Sequence, residues 1–206
     1  MSEQQKEDWA SVRIATKLSP AELIAFCQDA ERLLRINSMY EFEEWRSDSD
    51  RHFFMHARNL SNGREIHTPL LVEPCPDGIR IVYEAGLKTA TTFRVEPLAQ
   101  EHGMIGHDEG SVLVVTDDYS GTPESERLAR ISEVDQSLVG WGRDLQRYLR
   151  HWARWSGFGP WRWYMRRLWQ PMKPKARRIT FMLLAITAFE LVIGVLAIAG
   201  LVFVQE

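Results

Sequence analysis

Histidine pairs, an acidic run and a basic–aromatic stretch are the parts of this chain whose residue types and spacing could do chemistry. His52 and His56 stand four apart, which on a strand places both on one face. Two imidazoles need a third ligand to hold a metal, and Asp50 and Glu65 are the candidates; no metal site is expected from so loose a set. His102 and His107 share a long polar segment with Asp108 and Glu109. It reads as a solvated loop, of the kind that can gate a cavity. Glu41, Glu43, Glu44, Asp48 and Asp50 form an acidic edge. Paired carboxylates do acid–base work when buried. These alternate with Tyr40, Phe42 and Trp45, and so read as a solvated strand face and loop. The chain contains no G-x-S-x-G, no H-E-x-x-H, no Gly-rich phosphate loop and no dinucleotide fingerprint. No catalytic residue and no cofactor are expected.

The stretch "GPWRWYMRRLWQPMKPKARR", Gly159 to Arg178, sets three of the eight tryptophans among seven Lys and Arg residues. Cations interleaved with aromatics can clamp single-stranded nucleic acid or lie on a membrane. The adjoining segment decides between them. Ile179 to Val204 is a run of 26 residues with one charge, Glu190. A bilayer core needs about 20 apolar residues in a helix. The run is therefore expected to be a transmembrane helix and, with only Gln205 and Glu206 after it, a tail anchor. No nucleic-acid partner is expected, because the local pattern supplies no stacking fold.

Within the stretch, Pro160 suits a first helical position. Trp161, Tyr164, Met165, Leu168, Trp169 and Met172 then recur at helical spacing, with Arg162, Arg166, Arg167 and Gln170 opposite. This is the pattern of an interfacial helix with a basic polar face. The same pattern also fits a connector helix packed on the domain. Pro171 and Pro174 break the helix and let the chain turn into the bilayer. The expected membrane-interface residues are Trp161, Arg162, Tyr164, Arg166, Arg167, Trp169, Lys173, Lys175, Arg177 and Arg178. The last four precede the span and nothing positive comes after it, so the positive-inside rule puts residues 1–178 in the cytoplasm. The polar start "MSEQQKEDWASVR" has no apolar signal region, which agrees. In a bacterial cell the membrane would be the inner one.

Charge is split along the chain. Residues 1–138 carry a net −11 and residues 139–178 a net +10 within an overall −3. An acidic body with a basic neck speaks to partners rather than to fold. Cys27 and Cys75 match no zinc or C-x-x-C spacing and are expected to be free thiols.

The elements that must position these residues are legible. "WASVRIATK" alternates as a strand. In "LSPAELIAFCQDAERLLRIN", Ser19 and Glu22 form a capping box around Pro20, and a break near Gln28–Asp29 divides two short helices. Six strands come next, with turns at Asn62–Gly63, Pro76–Gly78 and Ala85–Gly86. The last, "SVLVVTDDY", comes after the long loop. A closing helix, starting at Pro123 or Ser132, carries Leu138, Trp141, Leu145, Leu149, Trp152 and Trp155 as one apolar stripe. Gly140 and Gly142 mark a kink in it or a close approach to the sheet. The expectation is an α+β two-layer fold. Residues 1–8 form a tail, 9–156 the domain, 157–178 the neck and 179–204 the transmembrane helix.

From Trp9 to Trp155 the chain resembles the START-like superfamily, also called SRPBCC, which includes polyketide cyclases, pollen-allergen proteins and lipid-transfer domains. The resemblance rests on element order, on "KLSPAELIAFCQDAERLLRIN", on "GLKTATTFRVEP" and on "DDYSG". It implies a helix-grip fold, a seven-stranded antiparallel sheet wrapped on the long helix around an apolar cavity. It implies a lipid, quinone-like or polyketide ligand, and carries over no shared catalytic residue. The neck and anchor lie outside the family pattern.

Strand alternation nominates Ile66, Thr68, Leu70, Ile81, Tyr83, Thr89, Thr91 and Phe93 for the concave face, with Trp141, Leu145 and Leu149 above them. A filled core is the competing reading of the same residues. Glu190 lies mid-span, where an ionised side chain costs about 2.5–3.5 kcal/mol or more. A helix partner approaching across Gly194, Ala197 and Gly200 would account for it. Three functions are open to such a chain. The first is an anchored domain binding a hydrophobic small molecule, with membrane lipids as its other partner. The second is an accessory or assembly subunit docked to an integral-membrane protein through the anchor helix. The third, least supported, is a cyclase- or hydrolase-type enzyme.

Overall fold

The computed structural model describes residues 8–98, 110–123, 125 and 131–204. Among them the chain runs β1 (Trp9–Thr16), α1 (Pro20–Cys27), α2 (Ala30–Ile36), β2 (Tyr40–Ser47), β3 (His52–Asn59), β4 (Glu65–Cys75), β5 (Gly78–Tyr83), β6 (Ala90–Pro97) and β7 (Ser111–Asp118). Then come α3 (Ile131–Trp155), α4 (Gly159–Tyr164), a π-helical turn (Met165–Trp169) and α5 (Pro174–Val204).

Local chemistry sets the early elements. The Ser19 hydroxyl accepts from Glu22 N at 3.3 Å, and Glu22 Oε2 accepts from Ser19 N at 2.9 Å, which closes the predicted capping box. The two helices divide where expected, because the Asp29 carboxylate accepts from Arg32 N at 3.0 Å and starts α2 afresh. The strands form one antiparallel sheet in the order β1-β7-β6-β5-β4-β3-β2, so hairpins join β2 to β7 and the first strand closes on the last. At the β4–β5 turn, a Cβ on Gly78 would fall on the Phe93 carbonyl, which requires glycine there.

The long helix lies across this sheet, giving the α+β helix-grip architecture expected. Its Gly142 is the close approach to the sheet, since a Cβ there would stand 2.9 Å from Val12 Cγ2; Gly140 faces open space. Trp141 meets Phe93 edge-on with centroids 5.4 Å apart and donates its indole N–H to Leu33 O at 3.1 Å. Leu145 and Leu149 are buried beside it. Arg32 is buried with its guanidinium over the rings of Phe26 (4.1 Å) and Trp152 (4.8 Å), donating to Phe26 O. Cys27 and Cys75 are free thiols, and burial pushes the Cys27 thiol up to about 12. The segment bearing His102, His107, Asp108 and Glu109, expected to be a loop, lies outside the described residues.

The final helix begins at Pro174 rather than at Ile179, so the last basic residues of the neck form its first turn. Its 31 residues extend about 46 Å at 1.5 Å per residue, longer than the bilayer core of about 30 Å. Its stretch Pro174–Leu196 is long and apolar enough to cross a membrane, and apart from the buried Pro174 and the half-buried Arg177 and Thr180 its residues are exposed.

Candidate functional site

A cavity of about 260 Å³ opens where the β3–β4 hairpin, the β5–β6 connection and the start of β2 meet Tyr119 and Ser137. Tyr40, Met55, Ile66 and Leu87 give it apolar walls. Tyr83, Lys88 and Tyr119 bring polar groups to it.

Behind these groups lies Asp117. On β7 the residues Ser111, Leu113, Val115 and Asp117 alternate inward and all are buried. A carboxylate so placed needs partners. Lys88 Nζ stands 2.5 Å from Asp117 Oδ2 and 5.1 Å from the Trp141 ring. The Thr91 hydroxyl donates to Asp117 Oδ1 at 2.5 Å, and the Tyr119 hydroxyl donates to Oδ2 at 3.3 Å. Tyr83 OH lies 3.1 Å from Thr91 Oγ1. Thr91 has one hydroxyl proton, already given to Asp117, so Tyr83 is the donor of that bond.

The electrostatics reflect burial and the one ion pair. Burial opposes charge on Lys88, but the Asp117 carboxylate outweighs it and holds the ammonium well above the ordinary lysine range. Burial pushes Tyr83 and Tyr119 up; Lys88 partly offsets this and Asp117 adds to it. At neutral pH the site therefore presents a cation and protonated phenols. A nucleophilic lysine needs a lowered pKa, so this arrangement suits binding an acceptor-bearing molecule rather than covalent catalysis.

The residues expected to line a cavity divide. Ile66 and Tyr83 line the open space, and Thr91 joins the network behind it. Thr68, Leu70, Ile81, Phe93, Trp141, Leu145 and Leu149 instead fill the core, each almost completely buried. Under the long helix Phe93 meets Trp141 edge-on. Thr89 precedes β6 and accepts from Gly121 N at 2.8 Å, which holds a loop in place. Sequence reasoning missed Lys88, Asp117, Tyr40 and Tyr119. The available signal was parity, since Asp117 falls on the inward face of β7 in line with Leu113 and Val115.

His52 does not join His56. Its Nδ1 lies 3.0 Å from Ser49 Oγ, while His56 meets residues of β4. The acidic edge is only partly solvent-facing in role. Glu44 and Asp48 hold Arg46, whereas Glu41 and Glu43 take Lys173 at 3.2 and 2.6 Å.

That contact belongs to a docked neck. Trp161, Tyr164 and Trp169 pack on the core and Met165 is buried. Trp152 lies 5.6 Å from Trp161, and Tyr148 lies 5.3 Å from Trp169, centroid to centroid. The aromatic stripe expected at the headgroups thus faces protein, as in the connector-helix reading. Arg177 is half-buried, 3.9 Å above the Trp169 ring, and donates to the carbonyls of Arg35, Trp169 and Gln170. Arg162, Arg166, Arg167, Lys175 and Arg178 remain exposed, with Trp163 (60% exposed) among the first three. On α5 Glu190 is exposed among apolar side chains.

No protein-family model matches the chain, and no curated protein matches it. Solved structures resemble it in fold. A START superfamily protein from Mycobacterium smegmatis shares 14% identity over 68% of this chain and 96% of its own, with a TM-score of 0.46. A protein from Thermus thermophilus shares 14% identity over 68% and 96%, with a TM-score of 0.48. One from Deinococcus radiodurans shares 12% over 68% and 93%, with a TM-score of 0.46.

Proposed function

We propose that this chain is a membrane-anchored binding protein that takes a small, largely apolar molecule with hydrogen-bond acceptors at the cytoplasmic membrane face. The observation that carries the reading is the buried Lys88–Asp117–Thr91–Tyr83–Tyr119 network behind an open, partly apolar cavity. Packing alone favours apolar residues in such a place, because a buried ion pair seldom adds net stability. Lys88 keeps N–H donors beyond the one held by Asp117. The volume, about 260 Å³, lies just below the usual range of about 300–1,000 Å³. It suits a ring-sized group, such as a quinone-like ring or the polar end of a lipid, rather than a whole acyl chain. The basic flank before the apolar span supports the cytoplasmic side.

The test is native mass spectrometry of the full chain taken from membranes in mild detergent, with the wild type beside Ile66→Trp, which fills the cavity. The wild type is expected to carry a bound small molecule that the variant lacks. A wild type that is empty in every preparation, or an adduct unchanged by Ile66→Trp, overturns the proposal.

Glu190 favours a second reading. An exposed carboxyl in an otherwise apolar span is supported best by a polar partner on another helix, which would make the chain a subunit of a membrane complex. The two readings are compatible, since the cavity and the anchor helix use different surfaces.

A further inference from the structure

His56 and His67 face each other directly across the β3–β4 ladder, and their rings stack with centroids 3.9 Å apart. Glu65 lies two residues before His67 and so shares its face of the sheet. Its Oε2 is 3.0 Å from His56 Nε2. One ligand atom from each of the three residues falls in a group whose members lie within 4.8 Å of one another. We propose that His56, Glu65 and His67 form a binding site for a divalent transition metal of the zinc class.

Three observations carry this beyond a chance cluster. First, the distances need little adjustment. Bonds of about 2.0–2.2 Å in a tetrahedral site put ligand atoms about 3.3–3.5 Å apart. The His56–Glu65 pair is already near that separation, and His67 is exposed and can turn about its side-chain bonds. The backbone positions are fixed by strand register. Second, Glu65 is oriented from behind. Its other oxygen, Oε1, accepts from Arg58 Nε at 2.8 Å, which leaves Oε2 toward the histidines. Outer partners of this kind hold metal ligands in place. Arg58 brings a positive charge, but it pairs in register with Glu41, and Glu43 lies near enough to act on it electrostatically. Third, the donor set is chemically specific. Two imidazoles and a carboxylate suit zinc, cobalt, nickel or copper, whereas calcium and magnesium prefer all-oxygen sites.

Three protein ligands leave a fourth position for water or for an oxygen of an incoming molecule. Glu65 and His67 also line the rim of the cavity, so that position opens beside it. Metal binding does not require an occupied cavity, so this site stands apart from the ligand reading above.

The test uses the full chain without a polyhistidine tag, in detergent, titrated with zinc by calorimetry and with cobalt by visible absorption. One ion per chain is expected. His67→Ala and Glu65→Gln should each weaken binding by at least about tenfold, the lower end of what loss of an outer partner alone costs. His52→Ala, on the same strand but outside the cluster, should leave it unchanged. Both His67 and Glu65 are exposed, so these variants are expected to keep the wild-type circular dichroism and melting profile. No binding by the wild type, or an affinity that neither His67→Ala nor Glu65→Gln lowers, overturns the proposal.

Discussion

Asp117→Asn removes one charge from the interior while nearly keeping shape. The asparagine oxygen can still accept from Thr91, so what is lost is the counter-ion of Lys88. The Asp117 side chain is fully buried and that of Lys88 is 13% exposed. Breaking such a pair from one side costs about 3–5 kcal/mol, because the remaining charge stays buried. Each kcal/mol lowers the melting temperature of a domain this size by about 2–4 °C, so a fall of about 6–20 °C is expected. Thermal unfolding of the full chain in detergent measures this shift and urea unfolding the free-energy loss, both followed by tryptophan fluorescence, since Trp141 lies against the Lys88 ammonium. The pH dependence separates charge from packing. In the wild type the folded lysine value is raised, so its contribution is complete below the unfolded value of about 10.4 and is lost only as pH rises through the folded one. In the variant burial acts unopposed and lowers that value, so the penalty should shrink as pH rises toward about 10. Lys88→Met added to Asp117→Asn should recover most of the loss. A penalty below about 1 kcal/mol, the size typical of an exposed pair, would refute the reasoning by showing that Lys88 is already solvated.

Two further outcomes test the membrane-facing parts. A chain ending at Arg178 should bind anionic vesicles weakly and lose that binding in salt, and replacing Arg162, Arg166 and Arg167 together by Ala should abolish it; co-sedimentation at low and high salt reads this out. Glu190→Leu should leave the domain's melting unchanged and reduce co-purification of membrane partners in a quantitative pull-down; equal recovery with both chains would remove the assembly reading.

The elements were legible because their signals are local. Ser19 and Glu22 sit three apart, Asn62–Gly63 and Pro76–Gly78 are turn chemistry, and the stripe from Leu138 to Leu149 has one period. The site was not legible, because its members meet only through the sheet. Thr91 meets Asp117 across the β6–β7 pairing, Lys88 reaches it from the connection before β6, and His56 reaches His67 across the β3–β4 hairpin. Strand parity flags Asp117 as inward but does not name its cation. The neck was ambiguous for a different reason. Trp161, Tyr164 and Trp169 make an apolar stripe that satisfies lipid and protein equally. What turned it inward is the aromatic surface offered by Tyr148 and Trp152, a property of another helix.

The docked neck changes what the anchor does. Tyr40 and Glu41 are neighbours on β2, and strand alternation sends them to opposite faces. Tyr40 lines the cavity, while Glu41, with Glu43, holds Lys173, the residue before the anchor helix begins. Arg177, in the first turn of that helix, donates to the carbonyl of Arg35 near the end of α2 and to those of Trp169 and Gln170 at the end of the neck. Carbonyls at helix ends lack intrahelical partners, and a guanidinium is a natural donor to them. A flexible tether would need neither contact. If α5 spans a bilayer as proposed, a tilt imposed on a helix longer than the bilayer core would pass through Lys173 and Arg177 to the strand and helix beside Tyr40. On the proposed reading, in which α5 is the anchor, these two contacts would set the attitude of the cavity as well as its distance from the membrane.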